Sequence, residues 1–210
     1  MNIIKSLNWR YACKKFDDTK IIPDEKIAII KEAFNLTATS FGLYPIKMIV
    51  IKNKELQGEL VAHSYGQQQV ANASHLLVLC IDKDITPHDI DTSFDREIAL
   101  RNTPKETLAG FRKQLQAMFA KKSIEEKQLS ATYQIYIAIG NLMTVCALEK
   151  IDSCPMEGFV PEKYDEILKL NDKNLKSVLL LPIGFRAEDD FMSKLKKVRK
   201  PIKDTVINID

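Results

Sequence analysis

The stretch Tyr133-Gln134-Ile135-Tyr136-Ile137-Ala138-Ile139-Gly140-Asn141-Leu142-Met143-Thr144-Val145-Cys146-Ala147-Leu148 decides the fold. Wound as a helix it is apolar nearly all round, broken mainly by Gln134, Asn141 and Thr144. A helix without a polar face has to be covered on every side. In a chain of 210 residues one sheet covers only part of such a helix. A second subunit is the expected cover, so the pattern alone points to a homodimer. Ser123 and Glu126 form a capping box that opens this helix, which is expected to run to about Lys150.

Outward from that helix, three runs read as buried strands: 46–51, 75–81 and 177–185. The second and third are apolar almost throughout, as strands covered on both faces are. Pro182 cannot donate to a ladder, so the third strand is expected to bulge or leave the sheet there. Pro23 at a first helical position, followed by Asp24 and Glu25, opens a helix that turns Ile27, Ile30 and Phe34 inward. Asn53 caps another, with Leu56 and Leu60 inward. Residues 89–122 read as largely helical with a break around Pro104, and the N-terminus as a short helix carrying Ile3, Ile4 and Leu7 on one face.

Composition narrows the class. The chain is 45% hydrophobic, enough for a packed core, and its length suits one domain over residues 1–210. A net charge of +3 gives no global argument for nucleic acid or membrane partners. No apolar stretch reads as reaching the roughly 18 residues a membrane span needs, and the first residues lack the apolar core of a signal peptide. Cys13, Cys80, Cys146 and Cys154 form no close pairs and read as reduced thiols of a cytoplasmic protein. There is no G-x-G-x-x-G fingerprint, no phosphate loop and no nucleophile elbow. The histidines His63, His75 and His88 share no metal-ligand spacing, so no metal site is expected and a metal hydrolase is disfavoured.

Four segments are left to carry chemistry. Trp9-Arg10-Tyr11-Ala12-Cys13-Lys14 places two cations four residues apart among aromatics; Ala38-Thr39-Ser40-Phe41-Gly42-Leu43-Tyr44-Pro45 is a small hydroxyl-bearing loop before the first strand. Cys154-Pro155-Met156-Glu157-Gly158-Phe159 follows the long helix, and its glycine lets backbone approach a ligand closely. Lys194-Leu195-Lys196-Lys197-Val198-Arg199-Lys200 is a basic run near the C-terminus. Each has an ordinary reading alone: a solvated turn, a loop, a turn, a solvated tail.

Taken together, in this order and spacing, they resemble the FMN-dependent nitroreductase family from Arg10 to Arg199. The R-x-x-x-K start is Arg10 and Lys14; the small-residue loop before a proline is Thr39, Ser40 and Pro45; Ala73 and Ser74 enter a strand; residues 134–141 and 151–159 look like the family's most recognisable segment; the final K-x-R is Lys197 and Arg199. The resemblance implies an α+β fold, a central mostly antiparallel sheet flanked by helices in an intertwined homodimer, with FMN touched by both chains and NAD(P)H as electron donor.

It also implies roles. Arg10, Lys197 and Arg199 would hold the FMN phosphate, with Tyr11 and Ala12 beside them. Lys14 and Gln69 would address the N1–O2 edge of the ring, where reduction places negative charge. Pro155, Met156, Glu157 and Gly158 would border the ring, with the Gly158 amide facing N5. Thr39 and Ser40 would come from the other subunit. Ala12 and Cys13 stand where relatives often carry a hydroxyl, and Phe41 and Gly66 where many carry polar groups; these bear on the phosphate contacts and the substrate pocket. The implied activity is ping-pong hydride transfer from NAD(P)H through flavin to a small-molecule electron acceptor, a nitroaromatic or quinone. A flavoenzyme of the same fold reducing an enone or removing a substituent is the alternative. A nucleic-acid binder using residues 194–200 is a remote one, argued against by the absence of flanking aromatics.

Overall fold

The apolar run after Ser74 becomes the middle of an antiparallel sheet. The computed structural model describes residues 2–209, and in it β1 (Ile46–Ile51), β2 (His75–Asp82), β3 (Asp152–Ser153) and β4 (Leu175–Gly184) lie in the order β1-β2-β4-β3. β2 is apolar on both faces because it feeds two cores. Leu77, Leu79 and Ile81 pack on one side of the sheet, and Leu76, Val78 and Cys80 on the other. Burying each such side chain is worth about 1.5–3 kcal/mol. β3, only two residues long, carries no sequence pattern of its own.

Eight helices complete the α+β fold among the described residues: α1 (Ile3–Trp9), α2 (Asp24–Asn35), α3 (Lys54–Ala62), α4 (Gln69–Asn72), α5 (Pro87–Arg101), α6 (Lys105–Ala120), α7 (Ile124–Leu148) and α8 (Pro161–Ile167). The capping chemistry read from sequence is in place at α3 and α7. The Asn53 side chain accepts from the Leu56 N–H, and Ser123 and Glu126 cap reciprocally. Pro23 is the N-cap of α2 rather than its first residue. Asn102, in the left-handed region at φ 54°, separates α5 from α6 just ahead of Pro104.

Two further expectations need correction. Pro182 does not interrupt β4; it stays paired with Leu76, and its carbonyl accepts from the Cys154 N–H at 3.0 Å. Its missing N–H faces the same side as its carbonyl, away from β2, so the proline costs no bond to β2. The register slip lies at the Leu79/Cys80 step, opposite Val178. Second, α7 is long and apolar enough, by length and composition, to cross a membrane: Gln134, Asn141 and Thr144 interrupt its pattern without adding charge. It lies on the sheet and α2, where the Asn141 amide donates to the Ala33 carbonyl at 2.9 Å and to Thr37 Oγ1 at 3.0 Å. As the apolar pattern implies, the single chain covers only part of α7. Ala131, Ile135, Ala138, Leu142 and Cys146 are buried, while Leu129, Tyr133, Tyr136 and Ile137 form an open stripe, 46–60% exposed.

His75 opens β2 fully inside the protein. Ser74 Oγ accepts the Ile22 N–H at 2.8 Å and lies 2.9 Å from His75 Nδ1. Which of the two donates is set by the tautomer of the ring. Burial, then the charges of Lys52 and Lys54, push His75 down to about 4. Above pH 6.5 both folded and unfolded chains hold a neutral imidazole. Between about 6.5 and 4 the unfolded chain takes up a proton that the folded one refuses, so stability falls with pH through that window. Denaturant unfolding at pH 7 and pH 5 is expected to show a loss of about 2 kcal/mol in the native sequence. The loss should be largely absent in His75→Asn. Equal pH slopes in the two proteins would remove His75 as the cause.

Candidate functional site

The two ends of the chain converge. α1 stops at Trp9, and Arg10 leaves it in extended conformation. From there Ala12 pairs in parallel with Ser153, and Cys13 N–H donates to the Ser153 carbonyl at 3.2 Å. The C-terminal segment returns across this strand, so that Arg10, Lys197 and Arg199 line one cleft of about 440 Å3 with Tyr11, Ala12 and Met192. The Lys197 ammonium donates to the Arg10 carbonyl.

This is an expensive arrangement without an anion. Burial, then the neighbouring Arg199 charge, push the Arg10 guanidinium below its ordinary range. Burial, then Arg10 and Arg199, lower Lys197 in the same way. The Arg10 Nε is buried and has no hydrogen-bond partner among the described residues, a deficit of the kind worth about 1–3 kcal/mol or more for a charged group. A phosphate monoester fits: it supplies the negative charge that the cations lack and acceptor oxygens for a guanidinium fork.

The supports of this cleft escaped the sequence reading. The Arg186 guanidinium lies between the rings of Trp9, 4.3 Å away, and Tyr11, 4.5 Å away. It donates through Nε to Asp152 Oδ1 at 2.9 Å, and its backbone N–H donates to Asp152 Oδ2 at 2.9 Å. The two rings that Arg186 touches flank Arg10 in sequence, so the ion pair braces both neighbours of Arg10. A second buried carboxylate, Asp190, ties Tyr11 and Lys14 to the returning C-terminal segment. Asp152 falls inside the recognisable 151–159 segment, but neither acid's role as a support is marked by its sequence neighbours; tertiary placement gives it.

A second group of side chains gathers beyond Lys14. Its ammonium lies 3.7 Å from Cys154 Sγ, and Gln69, buried, bonds through Nε2 to Gln67 Oε1 at 3.0 Å. Burial raises the Cys154 thiol, while Lys14 and Gln69 pull it partly back. Gln67 in turn donates to the Gly158 carbonyl at 2.8 Å. A Cβ at Gly158 would stand 3.0 Å from that amide nitrogen, so a side chain there would push the Gln67 amide aside. The backbone reaches it from a bridge in which Met156 and Leu180 exchange hydrogen bonds at 2.9 and 3.0 Å, with Pro155 leading in. Glu157 accepts from the Tyr136 hydroxyl at 2.7 Å. Gly66 (φ 73°) shapes the turn that carries Tyr65 and Gln67 up to Gly158. Lys14, Gln69, Gly66 and residues 155–158 are thus one neighbourhood.

Thr39, Ser40 and Phe41 are elsewhere in the protomer. The Ser40 N–H donates to Gln134 Oε1 at 3.2 Å, whereas Trp9 and Arg10 lie by Lys150 at the other end of α7. The span from Gln134 to the helix end at Leu148 is about 21 Å at 1.5 Å per residue. Phe41 is held in the left-handed region (φ 59°), edge-on to Phe119 and beside Leu100 and Arg101 of α5. Ser93 Oγ pins the turn by donating to the Gly42 carbonyl at 2.9 Å.

The antiparallel sheet and long core helix carry a cation cleft, built from both chain ends, that suits a phosphate-bearing ligand. Residues 7–185 match the nitroreductase family model, and the chain belongs to the nitroreductase family and is an oxidoreductase. Two proteins named as putative nitroreductases match nearly end to end. One, from Staphylococcus epidermidis and specified as NAD(P)H-dependent, is 32% identical over 206 residues, covering 93% of this chain and 92% of its own. The other, from Exiguobacterium sibiricum and solved in complex with FMN, has a TM-score of 0.85 at 20% identity, covering 100% of this chain and 98% of its own. A solved enone reductase of gut-bacterial fatty-acid saturation has a TM-score of 0.80 at 19% identity, covering 100% of this chain and 98% of its own.

Proposed function

We propose that this chain is an FMN-dependent NAD(P)H oxidoreductase that reduces small electron-poor acceptors, nitroaromatics or quinones, by a ping-pong sequence. The observation that carries the reading is the buried, unpartnered Arg10 Nε in a cleft shared with Lys197 and Arg199. When bound, FMN accepts a hydride from NAD(P)H and hands it on to the acceptor. The protein's part is to hold the phosphate at these cations and to set the environment of the ring. Lys14 supplies a positive charge for the edge of the ring that becomes negative, and Gln69 a hydrogen bond beside it. Gly158 leaves its N–H without a protein partner among the described residues, free for the ring. Tyr11 and Ala12 wall the phosphate end; Pro155, Met156 and Glu157 wall the other. The purified protein should be yellow, lose its flavin absorbance under anaerobic NADPH and recover it on adding a nitroaromatic or quinone. A colourless protein that takes up no FMN overturns the reading.

The acceptor is the finer question. The enone reductase among the structural neighbours favours an α,β-unsaturated ketone as the second reading. Preference for an enone over nitroaromatics and quinones in an acceptor panel with reduced enzyme would select it.

The same reading includes a homodimer. The open stripe of α7, together with Ile3, Ile4 and Leu7 on α1, leaves apolar surface that a second copy covers. Thr39 and Ser40, at the far end of α7 from Arg10, then reach a flavin bound chiefly by the other copy, and Phe41 and Gly66 border the substrate pocket. Ile137→Arg, in the centre of the stripe, is expected to give a monomer by size-exclusion chromatography with light scattering and to lose its flavin. A dimeric, yellow variant would place the interface elsewhere.

A further inference from the structure

We propose that Asp190 is the positioning residue that turns two separate chain segments into one phosphate cradle; the proposal rests on the flavin reading above. Its carboxylate is 1% exposed and receives donors from both sides. Oδ2 accepts from the Tyr11 hydroxyl at 3.0 Å, the Lys14 N–H at 3.0 Å, the Lys15 N–H at 3.3 Å and the Cys13 thiol at 3.3 Å. Oδ1 accepts from the Met192 N–H at 3.0 Å and so caps the turn Phe191–Lys194, from which the segment bearing Lys197 and Arg199 departs. One side chain therefore fixes the backbone of the Arg10–Lys14 strand and the starting direction of the C-terminal run.

The chemistry of the donors makes this a rigid joint. Burial acts to raise the Asp190 carboxyl, but the backbone N–H groups of Met192 and Lys14, then Cys13 and Tyr11, outweigh it and hold the group below the ordinary carboxylate range. An anion held by five donors on two segments accepts charge-assisted bonds and does not rotate away. Arg10 and Lys197 repel each other across the cleft, and Asp190 adds to the Lys197 bond with the Arg10 carbonyl in opposing their separation. Asp190 does this without touching the ligand: its oxygens are consumed by the protein. It acts through the cations that do touch it.

The test compares FMN with riboflavin, which shares the ring and lacks the phosphate. Each is titrated by fluorescence quenching into the full-length chain after its bound flavin has been exchanged out. In Asp190→Asn, which keeps the shape and removes the charge, FMN affinity is expected to fall about tenfold or more, as loss of charge-assisted bonds implies. Riboflavin affinity should change less than about threefold. Tyr11→Phe, which deletes one donor, should move the FMN-to-riboflavin ratio the same way by a smaller factor, and decides the matter if Asp190→Asn does not fold. Equal losses for both ligands would make Asp190 a merely structural residue, and an unchanged ratio in both variants overturns the proposal. Failure of the native chain to bind either flavin would instead overturn the flavin reading itself.

Discussion

Arg10→Ala is expected to lower FMN affinity about a hundredfold while leaving the flavin-free protein no less stable. The two effects separate because of how the cation cleft is built. In the proposed complex the guanidinium fork would supply charge-assisted hydrogen bonds worth about 1.5–3 kcal/mol each, and loss of roughly 2.7 kcal/mol is a hundredfold in affinity. Without flavin, the same group is a partly desolvated charge crowded by Arg199, with a buried Nε that finds no acceptor. Removing it relieves that crowding. The bond from Lys197 is to the Arg10 carbonyl, so the alanine variant keeps it. Thermal unfolding of the flavin-free variant should occur at or above the native midpoint, while the stabilisation by added FMN, which follows the ratio of ligand concentration to dissociation constant, should be much reduced. Arg10→Lys restores charge without the planar fork and should recover part of the affinity. Undiminished FMN binding in Arg10→Ala would place the phosphate in another cleft.

This cleft also shows what is legible in a sequence and what is not. Arg10 and Lys197 are 187 positions apart, and no periodicity connects them; only the motif order of a known family does. The two-faced burial of β2 and the capped start of α7 are legible because each is a local matter of hydrophobic spacing or of one side chain reaching its own backbone. Asp152, Arg186 and Asp190 are not. Their partners are contributed by elements that lie next to them only after β3 and β4 have paired, and an acid in a loop looks the same in sequence whether it faces water or five donors. The open side of α7 is a related case. The apolar pattern says that cover is needed, and the single chain supplies it on one face. Pro182 misleads for a third reason: its pattern marks a missing N–H, but not which neighbouring strand loses the bond.

Asp152→Asn should be the most destabilising single exchange around the site, at about 3–5 kcal/mol, the usual cost of leaving a buried ion without its counter-charge. Asp152 is 3% exposed. Asparagine keeps the shape and one acceptor, yet leaves the Arg186 guanidinium positively charged between the Trp9 and Tyr11 rings. Those rings attract the cation through their faces, but for roughly 0.5–2 kcal/mol, too little to replace the carboxylate. Arg186→Met makes the reciprocal error, stranding the Asp152 charge, whereas the double variant has no charge left to strand. Denaturant unfolding of both singles and the double should therefore show strong non-additivity, the double recovering about 2 kcal/mol or more relative to the summed losses. Additive losses would mean that Arg186 is held by its aromatic sandwich alone, and that the strand carrying Arg10 is fixed to the sheet by Ala12 and Cys13 without help from this ion pair.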